Sequence, residues 1–190
     1  MSLLNKIWFS SDLHFSHDKD FIWKDRGFSS VDEMNETIIK NFNNLIDDDD
    51  ELFLLGDIIM GDTTTSIEYL KRLNGKIHIV RGNHDSETKI LYYKNCDNVV
   101  SISEGEYFRY GKYHFYLSHY PAICSNFDAD RPLKNRMISL CGHIHTKDCF
   151  SDINKGLIFH VEVDTNDCKP WDIDDIIQMI KEKADGKVYF

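Results

Sequence analysis

The sequence predicts an α/β fold, and three observations support this prediction. Apolar, strand-like runs alternate with helix-like segments in the first half of the chain, which is typical of a parallel sheet covered by helices. The second half contains a hairpin pattern and further apolar strands. The chain has 190 residues, 42% of them hydrophobic, which suffices to bury a core without disulfides or a structural metal. We therefore expect a single domain over residues 1–190.

The first predicted strand covers residues 6–11 and leads into a polar loop that extends to Ser30. A helix is predicted after this loop, because Ser30 and Glu33 form a capping-box pattern and apolar residues recur at three-to-four spacing over residues 34–46. The acidic run 47–50 closes the helix. We interpret that run as a solvent-exposed turn.

A second and a third buried strand are predicted over residues 52–55 and 77–80, with a helix between them. Apolar residues within 67–73 indicate that helix, and the pair Asn74-Gly75 ends it. This order favours parallel pairing of the strands. Ligands of such sheets bind outside the carboxyl ends of the strands, so the residues that directly follow each strand are the first candidates for a functional site.

The second half is predicted to begin with a hairpin over residues 107–117 that turns near Gly111-Lys112. Strands are expected over residues 138–141 and 157–163, because both runs are apolar. A final amphipathic helix is predicted over residues 172–186.

Charge and cysteine content limit the class of protein. A formal charge of -10 and a pI near 5.3 argue against extended nucleic-acid binding and against adhesion to anionic lipid, which need a basic face. The five cysteines form no C-x-x-C pair, so reduced thiols are expected. The sequence has neither an apolar run of about 20 residues nor a secretory signal pattern. We expect a soluble, cytoplasmic protein without a membrane partner.

Five short segments place metal-ligand residue types directly after apolar runs. They are Asp12-Leu13-His14, Gly56-Asp57, Gly82-Asn83-His84-Asp85, Ser118-His119 and Gly142-His143-Ile144-His145. Alternate side chains of a strand share a face, so Asp12 and His14 are predicted to form one pincer, and His143 and His145 another. A single histidine at a strand end is more often structural than a ligand, and it is the recurrence that favours metal binding.

The candidate ligands are too many for one tetrahedral ion, so two ions are predicted. The set comprises Asp12, His14, Asp57, Asn83, His119, His143 and His145. Mixed nitrogen and oxygen ligands without thiolates suit first-row divalent metals better than calcium or a structural zinc site. We expect Mn first, with Fe, Zn, Ni or Mg as alternatives. One aspartate is expected to bridge the ions at about 3.5 to 4 Å.

Taken together, the five blocks resemble the motifs of the calcineurin-like metallophosphoesterases, which read D-x-H, G-D, G-N-H-D/E, H and G-H-x-H. Residues 11–17 and the helical segment 33–36 are similar to a branch of small bacterial and phage-type phosphoesterases. The resemblance implies a four-layer αββα sandwich, in which two mixed sheets are flanked by helices. The sequence departs from the family at His160 and Glu162, where related proteins often have Asn and Gly.

The resemblance also implies a role for each motif residue. Asp12, His14 and His145 would hold the first metal, Asn83, His119 and His143 the second, with Asp57 as the bridge and His84 and Asp85 as catalytic residues. His84 would protonate the leaving group, and Asp85 would orient its imidazole. Two adjacent cations lower the pKa of a shared water, which can then attack phosphorus in line with the leaving group. The implied function is hydrolysis of phosphate esters.

Further residues near the blocks are candidates for substrate binding. Arg26 is predicted to clamp a phosphate, since a guanidinium binds phosphate oxygens with two parallel hydrogen bonds. His17 is expected to contact the site or a bound phosphate. Tyr120, together with Phe15 and Trp23, is a candidate for stacking on a nucleobase or aryl group. The alternatives are structural: loop Arg and His side chains are usually solvated, and most aromatic side chains belong to the core.

The partner we expect is a small phosphate ester, with small phosphodiesters, including nucleotide-derived ones, preferred over monoesters. A dedicated protein phosphatase is disfavoured, because Gly56-Asp57 is not followed by the Asp-Arg-Gly of that group. The competing hypotheses are a catalytically silent metal-binding or scaffold protein of the same fold and a nuclease. A Cys/His zinc site that involves Cys149, with Cys141 next to Gly142-His143, is a further alternative for the later part of the chain.

Overall fold

Two β-sheets and the helices packed against them make up the structure. The computed structural model describes residues 5–124, 132, 135–151 and 157–184. The strands are β1 (Ile7–Ser10), β2 (Glu51–Leu54), β3 (Lys76–Val80), β4 (Val99–Ser103), β5 (Glu106–Tyr110), β6 (Tyr113–Leu117), β7 (Met137–Cys141), β8 (Leu157–His160) and β9 (Trp171–Asp172). The helices are α1 (Asp20–Trp23), α2 (Val31–Asn43), α3 (Thr63–Lys71), α4 (Glu87–Tyr93) and α5 (Ile173–Ala184), with a 3-10 turn at Val163–Thr165.

Both sheets are mixed. The five-stranded sheet has the order β4-β3-β2-β1-β9, in which β1 to β4 pair in parallel and β9 is antiparallel to β1. The four-stranded sheet has the order β5-β6-β7-β8, in which only the β5–β6 hairpin is antiparallel. The predicted α/β class, with two mixed sheets flanked by helices, is therefore confirmed.

Strand alternation divides the apolar residues of the five-stranded sheet between two cores. Trp8 and Leu52 lie in the core beneath the helices, whereas their neighbours Phe9 and Phe53 lie in the core shared with the second sheet. The rings of Phe9 and Phe53 stack at 5.1 Å, and Phe108 of β5 packs against them at 5.6 and 5.1 Å. The inner faces of the two sheets therefore contact each other directly.

The helices cover apolar faces that the strands leave exposed. Buried residues of α2, α3 and α4 join the core on the outer face of the five-stranded sheet. Isoleucines of α5 join the core between the sheets, and α5 packs against β1, β8 and β9. Among the described residues, no helix has the length and apolar composition needed to cross a membrane.

Several local predictions are confirmed with small changes. The hydroxyl of Ser30 caps α2 by accepting from the backbone N–H of Glu33 at 3.1 Å, while the Glu33 carboxylate accepts from the N–H of Ser29 at 2.8 Å. The hairpin turns at Gly111-Lys112, since Tyr110 pairs with Tyr113. All five cysteines are free.

Other elements were missed or are shorter than predicted. The sequence patterns did not predict α1, α4, β4 or β9, which are short or weakly amphipathic. The strand predicted over residues 157–163 ends at His160, because the chain enters the 3-10 turn at Val163. The predicted end of the last helix near Gly186 lies outside the described residues.

The acidic run 47–50 is not a fully exposed turn, so that prediction is wrong for its last residue. The first three aspartates are exposed, but Asp50 is only 5% exposed. Its carboxylate accepts hydrogen bonds from the backbone N–H of Lys6 at 2.8 Å, from Nε1 of Trp8 at 3.1 Å and from the N–H of Asp47 at 3.1 Å. Asp50 therefore links the end of the α2 region to the start of β1.

Replacing Asp50 by Ala should lower the free energy of unfolding by about 1 to 3 kcal/mol, because it leaves a buried Trp8 N–H without an acceptor. Burial raises the pKa of Asp50, but its three hydrogen bonds outweigh burial and lower the pKa overall. The stabilisation is therefore complete above a pH of about 4 and is lost as the pH falls through the folded-state pKa. Urea unfolding at several pH values measures both effects. Asp48→Ala, at an exposed position, serves as the control and should leave the stability unchanged.

Candidate metal centre

The candidate ligands lie on loops that follow the carboxyl ends of strands from both sheets. Asp12 and His14 follow β1, Asp57 follows β2, Asn83 follows β3, His119 follows β6, and His143 and His145 follow β7. Backbone and side-chain bonds connect the two sheets at this end. For example, the N–H of His143 donates to Oδ2 of Asp12 at 2.9 Å, and Nδ1 of His119 donates to the carbonyl of Leu55 at 2.8 Å.

One set of candidate ligand atoms consists of Oδ1 of Asp12, Nε2 of His14 and Nε2 of His145. The two imidazole nitrogens lie 3.1 Å apart, and they lie 3.7 and 3.6 Å from the carboxylate oxygen. Asp12 is fully buried, and its Oδ1 has no hydrogen-bond partner within the described part of the chain. A buried carboxylate oxygen without a donor requires a cation or a proton to offset its desolvation.

A second set consists of Oδ1 of Asn83, Nε2 of His119 and Nδ1 of His143. The amide oxygen lies 2.8 Å from His119 and 2.9 Å from His143, and the two imidazole nitrogens are 3.2 Å apart. Asn83 and His119 come from different sheets, so this set forms only when the sheets meet.

The carboxylate of Asp57 lies between the two sets. Its Oδ2 is 3.7 Å from Nε2 of His14 and 3.5 Å from Nε2 of His119. Its Oδ1 accepts a hydrogen bond from the N–H of His84 at 2.8 Å. One carboxylate oxygen therefore lies within 3.7 Å of a nitrogen atom from each set.

The spacing within the sets fits divalent ions. Bonds of about 2.0 to 2.1 Å to ligands arranged at roughly 90 to 110° place neighbouring ligand atoms about 2.8 to 3.4 Å apart. The observed separations of 2.8 to 3.7 Å begin at the same value and extend slightly above it. Imidazole, carboxylate and amide donors suit borderline first-row metals. The number and identity of the ions remain predictions.

Groups behind the imidazoles fix which nitrogen faces the centre. The carbonyl of Leu55 can only accept, so Nδ1 of His119 carries a proton and Nε2 points inward. Nδ1 of His14 shares a hydrogen bond with Nδ1 of His17 at 2.9 Å, and Nδ1 of His145 lies 3.2 Å from Oδ2 of Asp164. Such supporting contacts orient metal-binding imidazoles.

The electrostatics show strong coupling between His119 and Asp57. Burial lowers the pKa of His119, but its hydrogen bond to Asp57 and the charges of Asp12 and Asp57 raise the pKa to about 9. Burial raises the pKa of Asp57, but the contact with His119 dominates and lowers that pKa to about 2. The carboxylate is thus ionised, and a cation must compete with a proton for Nε2 of His119.

The prediction that strand alternation orients the pairs Asp12/His14 and His143/His145 is wrong. β1 ends at Ser10 and β7 ends at Cys141, so strand alternation does not orient the ligands. Instead the backbone is left-handed at the five motif residues Asp12 (φ 54°), His14 (φ 51°), Asp57 (φ 54°), His143 (φ 82°) and His145 (φ 50°). Asp12 and His14 do join the same set, but His143 and His145 point to different sets. Left-handed aspartate and histidine are strained positions, and such positions cluster at functional sites.

Two glycines leave room for the aspartates. A Cβ at Gly82 would collide with Oδ1 of Asp57, and a Cβ at Gly142 would collide with Oδ2 of Asp12 and Oγ of Ser11. The motif glycines are therefore required by close packing against the candidate ligands.

His84 and Asp85 have different environments. The side chain of His84 is 45% exposed, and its Nε2 lies 3.9 Å from Oδ2 of Asp57. Asp85 is buried, and its carboxylate accepts from the N–H of Asp57 and of Gly82, both at 2.9 Å, and from the hydroxyl of Tyr93 at 2.8 Å. Among the described hydrogen bonds, none joins Asp85 to the imidazole of His84. The prediction that Asp85 orients this imidazole is therefore wrong, because its oxygens hold the backbone of the site.

The three candidates for substrate binding differ in whether their side chains can reach a ligand. Arg26 is not a free phosphate clamp, because its side chain is only 3% exposed and is bonded to Asp164 at 2.9 Å. His17 lines the cavity, and burial together with neighbouring positive groups lowers its pKa to about 4. Tyr120 is 52% exposed, with its ring edge-on to His143 at 4.7 Å. The roles of His17 and Tyr120 remain predictions.

Two of the predicted stacking residues are not among the residues that line the cavity at the centre. Phe15 is fully buried and stacks on Tyr69, and Trp23 packs against the core beneath the helices. The aromatic side chain at the cavity is Phe21 instead, which is 64% exposed.

The proposed zinc site does not form among the described residues. The thiol of Cys141 lies 3.6 Å from Nδ1 of His160, whereas that of Cys149 donates to the carbonyl of Thr165. His160 is buried and bonded to Ser151 at 2.7 Å and Glu162 at 3.1 Å. The region where the sequence departs from the family is thus a buried polar layer.

A cavity of about 620 Å³ opens at the centre. It is lined by His14, His17, Phe21, Ile22, Asp25, Arg26, Asp57, Met60, Asn83, His84, His143, His145, Lys147 and Asp164. Sequence reasoning missed Asp164. The available signal was its position soon after an apolar strand, as for the other aspartates.

The fold and the clustered aspartate and histidine side chains define an α/β protein with a candidate metal centre. The chain belongs to the calcineurin-like phosphoesterases, since the family model described as "Calcineurin-like phosphoesterase superfamily domain" matches residues 6–161. The resemblance carried by the five motif blocks is therefore confirmed.

Relatives cover most of the chain. Uncharacterized protein MJ1445 of Methanocaldococcus jannaschii is 34% identical over 195 residues, covering 97% of this chain and 95% of that protein. The Gene 66 protein of Mycobacterium phage L5 is 26% identical over 165 residues, covering 75% of this chain and 79% of that protein. The crystal structure of AQ665 of Aquifex aeolicus, a protein of unknown function, is similar with a TM-score of 0.68 and 22% identity, covering 93% of this chain and 100% of that chain. The last similarity concerns the fold alone.

Replacing Gly142 by Ala should weaken Mn²⁺ binding by about 10- to 100-fold, the usual cost of disturbing the support of a metal ligand. The added methyl group displaces Asp12 or Ser11. Isothermal titration with Mn²⁺ measures the effect. The control is Gly111→Ala in the hairpin turn, where the added Cβ strains a left-handed backbone (φ 55°) but meets open space, so it reports backbone strain without a clash at the candidate ligands. Equal affinity in the two variants would contradict the proposed role of Gly142.

Proposed function

We propose that this chain is a metal-dependent hydrolase of small phosphate esters that uses two divalent ions, with Mn²⁺ preferred. The observation that carries the proposal is the position of Oδ2 of Asp57, 3.7 Å from His14 and 3.5 Å from His119, between the two sets of candidate ligands. A carboxylate in that position suits a pair of ions about 3.5 to 4 Å apart. Membership of a phosphoesterase superfamily supports hydrolysis.

In this proposal the chain holds the reacting groups in a fixed arrangement. Divalent ions at the two sets supply, when bound, a water that ionises near neutral pH and positive charge against the phosphate oxygens. Asp57 is fixed through its backbone, which donates to Asp85 at 2.9 Å, and through its side chain, which accepts from His84. A fixed carboxylate needs no rearrangement when the substrate binds, which favours the transition state.

His84 is the proposed general acid. Its imidazole is half exposed at the cavity wall, close to the bridging position. Its backbone is held on both sides, because its N–H donates to Asp57 and its carbonyl accepts from Nζ of Lys89 at 2.8 Å. A histidine fixed at the edge of the site can protonate the departing alkoxide.

The cavity supports a small substrate with an apolar or aromatic group next to the phosphate. Its volume of about 620 Å³ is in the range of small-molecule sites. Phe21, Ile22 and Met60 provide an apolar wall beside the candidate ligands. We therefore prefer a small phosphodiester with an aryl or nucleoside group.

Charge makes a long nucleic acid a poorer substrate. The chain carries a formal charge of -10. Of the cations at the cavity, Arg26 is bonded to Asp164, and Nζ of Lys147 donates to the carbonyl of Asp25 at 3.5 Å. Extended binding of a polyanion needs several free cations along a groove.

His84→Asn should keep both ions but lose about 10²- to 10⁴-fold in turnover of an alkyl ester, the usual range for general acid catalysis. The loss should be smaller for a p-nitrophenyl ester, whose leaving group needs little protonation. Elemental analysis and initial rates on both esters measure this difference. His114→Asn, in the hairpin, is the matched control. Loss of metal with normal activity per bound ion pair would contradict the assignment.

A substrate panel tests the proposed activity. The Mn²⁺-loaded protein is incubated with an aryl monoester, an aryl diester and a 2′,3′-cyclic nucleotide, and Asp57→Asn is prepared in parallel to exclude contaminating phosphatases. We expect hydrolysis of the diesters, and the variant should lose both activity and bound metal. No hydrolysis of any ester by a protein that holds two ions would favour the scaffold hypothesis.

A further inference from the structure

Arg26 uses all of its hydrogen-bond donors inside the protein. Nε and one terminal nitrogen donate to the two oxygens of Asp164, each at 2.9 Å. The same terminal nitrogen donates to the carbonyl of Asp12 at 2.8 Å. The other terminal nitrogen donates to the carbonyl of Leu13 at 3.2 Å and contacts the sulfur of Met34 at 3.5 Å. A guanidinium has five N–H groups, so none is left for a phosphate.

Asp164 connects this guanidinium to a candidate ligand. Its Oδ2 accepts from Arg26 and also lies 3.2 Å from Nδ1 of His145. The opposite nitrogen of that imidazole, Nε2, lies 3.1 Å from Nε2 of His14 and 3.6 Å from Oδ1 of Asp12. A carboxylate behind an imidazole fixes its tautomer and orientation toward a metal.

We propose that the buried Arg26–Asp164 ion pair positions the ligands of the first metal from both sides. The guanidinium holds the carbonyls of the left-handed Asp12 turn, and the carboxylate holds the imidazole of His145. Arg26 and Asp164 are positioning residues in this inference, which rests on the proposed function.

The carboxylate of Asp164 should act mainly on the first ion, because it reaches the centre through His145. In the second set, Nδ1 of His119 is held separately by the carbonyl of Leu55. Removing the carboxylate of Asp164 therefore leaves the contacts among Asn83, His119 and His143 in place.

The test is Mn²⁺ titration of the full chain, followed by electron paramagnetic resonance. Asp164→Asn should bind the first ion about 10- to 100-fold more weakly and keep the second. Its spectrum should change from that of a spin-coupled pair to that of a single Mn²⁺. His119→Ala, which removes a ligand of the second set, identifies which ion is lost, because adding Asp164→Asn to it should abolish tight binding.

Two further variants separate positioning from stability. Glu36→Gln is the matched control, since Glu36 forms an exposed two-point contact with Arg72 and neither residue lines the cavity, and this variant should bind both ions normally. The double variant Arg26→Met/Asp164→Leu replaces the buried pair with apolar groups, which often leaves stability unchanged. We expect it to fold, as judged by urea unfolding, and still to lack the first ion.

The outcomes distinguish this inference from the proposed function. Normal binding of both ions by Asp164→Asn and by the double variant overturns the inference and leaves the proposed function standing. Equal weakening of both ions in Asp164→Asn also overturns it. A wild-type chain that binds no ion pair overturns both.

Discussion

The structure depends on one constraint, the burial of carboxylates and imidazoles where the carboxyl ends of two sheets meet. Asp12 is fully buried with an oxygen that has no donor within the described residues, and nitrogens of His14 and His145 face it at 3.7 and 3.6 Å. Such an arrangement is unfavourable unless positive charge occupies the space between the atoms. Burying these groups close together is unfavourable, so the rest of the fold must stabilise every loop of the site.

The fold supplies that support through backbone geometry and bonds between the sheets. Left-handed residues cost of order 1 to 3 kcal/mol each, yet five motif residues adopt this conformation. Bonds such as those from His143 to Asp12 and from His119 to Leu55 link loops of different sheets. Gly82 and Gly142 allow the loops to approach the aspartates. Backbone strain is thus concentrated in the loops that bring the candidate ligands together.

The sequence predicts the regular parts of this fold well, because buried strands and amphipathic helices have strong periodic patterns. It missed β9 and α4, which are too short to show a period and form through tertiary contacts. The candidate ligands could be identified from recurring motifs, but not the left-handed backbone that directs His143 and His145 apart. Nor could the partner of Arg26 be found, since Asp164 lies 138 positions away along the chain. The hydrogen bonds of Asp50 to the start of β1 likewise could not be predicted, because they form only when the folded chain brings the two segments together.

In the proposed function these side chains form one centre for two neighbouring cations. Anomalous diffraction from a crystal of the chain soaked in Mn²⁺ would locate those ions. We expect two peaks about 3.5 to 4 Å apart, one beside His14 and His145, the other beside Asn83 and His119, with Asp57 between them. A single peak, no peak, or ions bound away from these residues would contradict the two-ion centre.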